Sequence, residues 1–425
     1  MKEAQRVDFL DGLRGIAALQ VVGLHYCTAF LPAIGLLHSI QTSDKSDPWV
    51  IHAPAFFVID GYASVYVFFL ISGAALTYSY SSQPYAIGVG LGRRLVRLGL
   101  PMAASILLAA FLFWLFAGAH VVAGEMTGSV SWLAIIGPHN IGLWSVLKEV
   151  TFYSLLTGYT GPQTTLWPAY LLTAWHVPST ATSFNAPLWT LHFEFYGSLL
   201  VLILVAIRSL AGRVFHLAVC FLLLAFLGTH PLSLFVIGHL IAPLLMSPRW
   251  HALTRRGPVQ IAGIAAFICG VAVSSHSGWH WLANLSSAYT THVGLPGVLD
   301  LFHTQSLLEA MLLFSGVIMV APAQRALNSQ LARWFGRISF SLYLTHFSIL
   351  LTFTSAVLVD LGGTLIAKVL TVILGVGFSL IVAALFEKGV DRPAIYLSRR
   401  IGRLTVKPAT QMTRNIAPIS VMDRG

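Results

Sequence analysis

Apolar residues run along this chain in stretches of the length that crosses a bilayer, about 20 residues each. Such stretches fall near 8–31, 61–82, 99–121, 186–207, 214–229, 231–247, 258–274, 305–322, 338–358 and 364–386. They predict an all-α fold, a polytopic membrane helix bundle with about ten transmembrane helices. The hairpin Thr229-His230-Pro231 is the least sharply marked turn among them. Three longer outer segments, about 32–60, 122–185 and 275–304, interrupt the series. In the second, apolar residues recur at helical spacing from Leu143 to Leu156 around Lys148 and Glu149, which predicts an interfacial or re-entrant helix.

Composition agrees: 56% of the 425 residues are hydrophobic and 9% charged, whereas a soluble domain carries about 25% charged residues. A formal charge of +10 resembles a nucleic-acid signal until the basic residues are located. Of 25 Lys and Arg, 21 fall in ends and loops that an even-numbered bundle with both termini cytoplasmic places inside; Lys45, Lys148 and Lys368 fall outside and Arg14 lies within the first span. The basic excess therefore reports orientation and contact with anionic lipid, and no nucleic-acid partner is needed. Lys2 and Arg6 precede an apolar stretch as in a signal peptide, but Asp8, Asp11 and Arg14 interrupt it, so an uncleaved first span is expected. Residues 1–397 read as one membrane domain and 398–425 as a basic cytoplasmic tail with Arg399, Arg400, Arg403, Lys407 and Arg414. Cys27, Cys220 and Cys269 all fall inside spans and read as buried free thiols, with neither a disulfide framework nor a metal set implied.

The chemistry lies in polar residues within apolar stretches. Arg14 and His25 are eleven residues apart; at 100° per residue they share a helix face, roughly 16 Å apart along the axis. Ionisable groups within a membrane are costly, face a protein interior or wet cavity, and mark functional sites. Asp8, Asp11, Ser72, His192, Glu194, Ser341, Tyr343 and His346 complete the set. Under this topology His25 and Glu194 lie at compatible depths. His25 reads either as a base whose imidazolium Glu194 stabilises, or as a histidine satisfied by a helix carbonyl, with Glu194 in a structural ion pair. Arg93, Arg94 and Arg97 cluster at the inner start of the third span, either as a phosphate site or as a topology signal. Trp132, Trp144, Tyr153, Tyr159, Trp167, Tyr170 and Trp175 in the second outer segment, and Trp279, Trp281 and Tyr289 in the third, suit either sugar stacking or an interfacial belt.

Several strings carry a resemblance. Phe9-Leu10-Asp11-Gly12-Leu13-Arg14-Gly15-Ile16-Ala17-Ala18-Leu19 followed by His25, and Val67-Phe68-Phe69-Leu70-Ile71-Ser72-Gly73, resemble the opening of the acyltransferase family 3 membrane proteins. Arg94-Leu95-Val96-Arg97, Leu188-Trp189-Thr190-Leu191-His192-Phe193-Glu194-Phe195-Tyr196, Ser339-Phe340-Ser341-Leu342-Tyr343-Leu344-Thr345-His346 and Glu387 to Pro393 follow in family order. The resemblance covers residues 8 to about 397 and implies about ten transmembrane helices. It also implies transfer of an acyl group, commonly acetyl from acetyl-CoA, to a sugar hydroxyl of an envelope polysaccharide, glycolipid or small glycosylated molecule. It implies that Arg14 and His25 are needed for activity and that Arg94 and Arg97 are the paired arginines. His192 is not a fixed part of the pattern. No hydrolase-like domain follows residue 397, and the long 122–185 loop weakens any analogy in acceptor choice.

The resulting expectation is an O-acyltransferase of the cell inner (plasma) membrane with an acyl-CoA co-substrate and no metal. Its carbohydrate or glycolipid acceptor arrives from the outer side. His25, Glu194 and Arg14 are the catalytic set, with His25 oriented by Glu194, or forming an acyl-histidine. Arg93, Arg94, Arg97 and His346 face the donor. Ser72, Ser341, Tyr343 and Asp11 face the substrate, the first three as oxyanion donors. The rivals are a transporter of lipid-linked or glycosylated substrates and a membrane-bound acyltransferase with a lipid donor. No Gly-x-Ser-x-Gly, His-Glu-x-x-His, Gly-x-x-x-x-Gly-Lys or Cys-x-x-Cys motif occurs.

Overall fold

A computed structural model describes residues 8–32, 53–82, 87–161, 165–274 and 301–404, and its regular elements are all helical; the single β feature among these residues is an isolated bridge between Thr160 and Ser179. Most of the first outer segment, nearly all of the third with Trp279, Trp281 and Tyr289, and the tail beyond 404 lie outside the described residues. The principal helices are α1 (Phe9–Phe30), α2 (Gly61–Ser82), α3 (Ile87–Leu115), α4 (Trp189–Leu227), α5 (Leu232–Leu245), α6 (Gly257–Val273), α7 (Leu301–Met319), α8 (Gln330–Ile349), α9 (Leu365–Phe386) and α10 (Arg392–Leu404).

Five helices are long and apolar enough to span: α2, α3, α4, α8 with its continuation to Leu361, and α9 with its continuation to Ile401. A sixth is added if α7 and the short helix Ala321–Leu327, bent 95° from it, form one span. The chain is therefore a multi-pass helical membrane protein, although ten separate helices of spanning length are not present among the described residues. The stretches at 186–207 and 214–229 are two helices, given the one label α4, that meet at Gly212, whose φ of 79° and ψ of 175° lie outside the helical range; the chain doubles back there, since Leu204 and Cys220 share an apolar cluster and Phe193 lies 5.7 Å from His230. Helices α5 and α6 are apolar but have only 14 and 17 residues, and α1 holds Asp11 and Arg14 within 22 residues.

Burial orders the bundle. The apolar window of α8 is 78% buried, so α8 is the central post; the most apolar window of α4 is 11% buried and faces outward, while the first turns of α4, from Thr190 to Leu204, pack inside. Apolar surface needs no protein cover in lipid, so van der Waals fit and polar contacts between helices decide the packing. Helix α1 runs parallel to α8 along a seam of glycines. A Cβ on Gly12 would strike the Leu327 carbonyl, one on Gly15 would meet the Gly336 amide, and one on Gly336 would strike the Asp11 carbonyl. Gly15→Val should therefore part the two helices. Overpacking costs about 1–3 kcal/mol, so a melting temperature lower by several degrees in detergent is the expected outcome. Gly377→Val, where nothing lies within 4 Å, should leave it unchanged.

Two turns of π-helix interrupt long helices near polar contacts. Leu350–Thr354 follows α8 and Glu387–Asp391 follows α9. The first presents Thr354 to Tyr26, whose hydroxyl lies 3.3 Å from the Thr354 hydroxyl and 2.8 Å from that of Ser379. The second presents Asp391 to α3. In the outer segment the expected interfacial element is a helix at Leu143–Lys148 running into a π-helix at Glu149–Thr157. Its aromatic residues divide: Trp132, Tyr153 and Tyr159 are buried, while Trp144 and Tyr170 are exposed. The cysteines also differ from expectation, since Cys220 is buried but Cys27 is half-buried and Cys269 is exposed on the outward face of α6.

Candidate active site

Two chambers lie one behind the other along α1 and α8. One, of about 220 Å³, is lined by Arg14 from α1, Ser72 from α2, Arg94 and Arg97 from α3, Thr190 and Glu194 from α4, and Phe340 and Tyr343 from α8. The other, of about 340 Å³, is lined by His25, Tyr62, Trp132, Thr180, Trp189, Tyr343 and Phe347 among others. Val65 and Tyr343 line both, so these two side chains form the wall between them. The α1 stripe read from the eleven-residue spacing thus opens at Arg14 into one chamber and at His25 into the next.

The first chamber is cationic. Arg94 Nη2 donates to Glu194 Oε2 at 3.0 Å, and Ser72 Oγ donates to Glu194 Oε1 at 2.6 Å. Arg97 pairs with Asp391 and its guanidinium lies 4.7 Å above the Phe340 ring. Among the described residues no carboxylate pairs with Arg14, which nevertheless lies close enough to act electrostatically on Arg97 and Asp391. Three guanidiniums therefore face two carboxylates, leaving an excess positive charge in a half-buried space. Such a site suits a phosphate ligand, because guanidinium forks match phosphate oxygens.

The second chamber holds a histidine pair. His25 Nδ1 lies 2.9 Å from His346 Nε2, and His346 Nδ1 lies 2.8 Å from the Leu342 carbonyl oxygen. A carbonyl only accepts, so His346 Nδ1 carries hydrogen and its Nε2 accepts from His25 Nδ1–H. With both imidazoles neutral, this chain leaves the lone pair of His25 on Nε2, the ring nitrogen outside the pair. The ring is clamped: Trp132 stacks on it at 6.1 Å between centroids and Phe347 abuts it edge-on at 4.9 Å.

This geometry rearranges the sequence-derived partners. Glu194 does not orient His25; its two oxygens are engaged by Arg94 and Ser72, and His346 occupies the partner position instead. Equal depth in the bundle gave no information about direction around the helix. Consequently His346, expected against the donor, stands behind His25. The hydroxyls expected as oxyanion donors are differently placed. Ser72 donates to Glu194, Tyr343 donates to the Pro187 carbonyl at 2.9 Å, and Ser341 is buried and lines neither chamber. Asp11 sits on the seam against Gly336, and it and Arg93 also line neither chamber. His192 is structural: Nε2 accepts from the Leu166 amide at 3.0 Å and Nδ1 faces the Leu155 carbonyl at 3.1 Å. Residues the sequence did not single out are Thr190 and Phe340, together with Asp391 as the partner of Arg97; Trp132, read only as a stacking or belt aromatic, stacks on His25 instead.

A phosphate-compatible cationic chamber backed by an imidazole chamber is an arrangement suited to group transfer within a membrane bundle. Residues 7–388 match the family of the acyltransferase domain, and the chain belongs to that family. It is similar to the O-acetyltransferase PaAT-1 of Phomopsis amygdali, with 26% identity over an alignment of 390 positions, covering 81% of this chain and 72% of the relative. No solved structure matches the chain. The chain is thus a membrane acyltransferase.

Proposed function

We propose that the chain transfers an acyl group, acetyl in the first instance, from cytoplasmic acyl-CoA to a hydroxyl of a carbohydrate or glycolipid reached from the outer side of the inner (plasma) membrane. The observation that carries the reading is the shared wall of Val65 and Tyr343 between an arginine chamber and the His25 chamber. Arg14, Arg94 and Arg97 would hold the coenzyme's phosphates, with ten crossings and both termini inside. The thioester would meet the acceptor at that wall. His25 Nε2 takes the hydroxyl proton as the acceptor oxygen bonds to the thioester carbon, the C–S bond breaks, and the proton returns to the departing thiolate. His346 accepts from His25 Nδ1 throughout and fixes which nitrogen acts as base.

Membranes supplied with radiolabelled acetyl-CoA should yield label in isolated glycan or glycolipid. Label found only in free acetate or phospholipid would remove the acceptor class. Tyr343→Ala opens the wall, so the ratio of free coenzyme A released to acylated product should rise. An unchanged ratio would show that the wall does not keep water from the thioester.

A further inference from the structure

We propose a second site, a metal centre formed by His216, Cys220 and His239 that binds zinc or a similar borderline-soft cation. His216 and Cys220 are four apart and share a face of α4 beyond the Gly212 break; His239 comes from α5, which packs against that half of α4 in the antiparallel sense. All three are at least 97% buried, and their ligand atoms lie within 4.8 Å of one another. His216 Nε2 is 2.7 Å from His239 Nε2 and 3.4 Å from Cys220 Sγ.

The outer hydrogen bond orients the cluster. Thr77 on α2 donates its hydroxyl hydrogen to the Gly73 carbonyl at 2.7 Å, so its oxygen accepts at 2.8 Å from His239 Nδ1. His239 Nε2 then carries its lone pair into the cluster. Metal-bound histidines are held in this way, the far nitrogen donating to a fixed acceptor. Two imidazoles and a thiol without a carboxylate favour zinc over magnesium or calcium. Zinc at about 2.05 Å from each nitrogen in a tetrahedral site sets the nitrogens about 3.3 Å apart. The two helices therefore separate by less than 1 Å on binding. Binding converts the Cys220 thiol to thiolate and releases its proton to solvent. The charge of Arg208, near enough to act on both histidines, opposes the cation, and the thiolate offsets it.

None of these residues lines either chamber, so the metal clamps the half of α4 beyond Gly212 to α5 and, through Thr77, to α2. No spacing in the sequence points to this set, since 23 residues and a turn between helices separate His216 from His239.

The test uses the purified full chain in detergent, stripped with chelator and titrated with zinc against a chelating dye, then with cobalt(II). The expected results are one zinc per chain and a thiolate-to-cobalt absorption band. Cys220→Ser should abolish the band, Thr77→Val should weaken zinc binding by about 10–100-fold, and Cys27→Ser and Cys269→Ser should change neither. If the wild-type chain shows no thiolate band at saturating cobalt, the site does not exist. Zinc binding unchanged by Cys220→Ser overturns it equally, and the wild-type cobalt spectrum decides the matter even if the variants fail to fold.

Discussion

Replacing His25 with alanine is expected to lower acyl transfer by about 10²–10⁴-fold, the contribution of a positioned general base, while membrane abundance stays normal. The side chain is half-buried in a chamber wall, so its loss enlarges a cavity without orphaning a charge. His346 separates a base from a mere core histidine. His346→Leu removes the acceptor behind His25 Nδ1 and should reduce the rate nearly as far. His346→Gln places a carbonyl oxygen close to the lost Nε2 and should restore part of it, and a packing role would not distinguish the two variants. Wild-type levels of acyl product from the His25→Ala enzyme would sink the base assignment.

Arg14→Gln should raise the KM for acyl-CoA by about 10–100-fold with little change in kcat. This corresponds to losing one charged hydrogen bond of about 1.5–3 kcal/mol. Arg14 is the informative arginine because no described carboxylate is ion-paired with it. Arg94→Ala, by contrast, leaves Glu194 without its ion-pair partner, and stranding a buried charge costs up to about 3–5 kcal/mol. The pair is about 15% exposed on each side chain, so the lower end of that range or less applies. Arg94→Ala should therefore lose folded protein as well as donor affinity, and adding Glu194→Gln should restore the first but not the second. An Arg14→Gln enzyme with an unaltered donor KM would remove the cationic chamber from the donor's path.

The sequence carried the α1 stripe plainly, because helical period alone places Arg14 and His25 on one face. It also carried the Arg94 and Arg97 face and the helix near Leu143. It did not carry what faces what. Glu194 and His25 share a depth, but the direction of each side chain depends on how α4 rotates against α2 and α3. The pairing of His25 with His346 and of Arg97 with Asp391 depends on packing between segments about 300 residues apart. The glycine seam was present as Gly12, Gly15 and Gly336, but no period links residues on helices so distant in the chain. Trp132, reaching His25 from an irregular outer segment, has no periodic signal.

The parallel seam between α1 and α8 fixes when the protein becomes competent. The first helix leaves the ribosome early, yet the ring that stands behind His25 is made 321 residues later. For most of synthesis a nascent chain therefore holds half a dyad beside an unfilled groove of glycines. Any chaperone or insertase that attends this protein must keep that groove from closing on lipid or on the wrong helix until the last spans arrive.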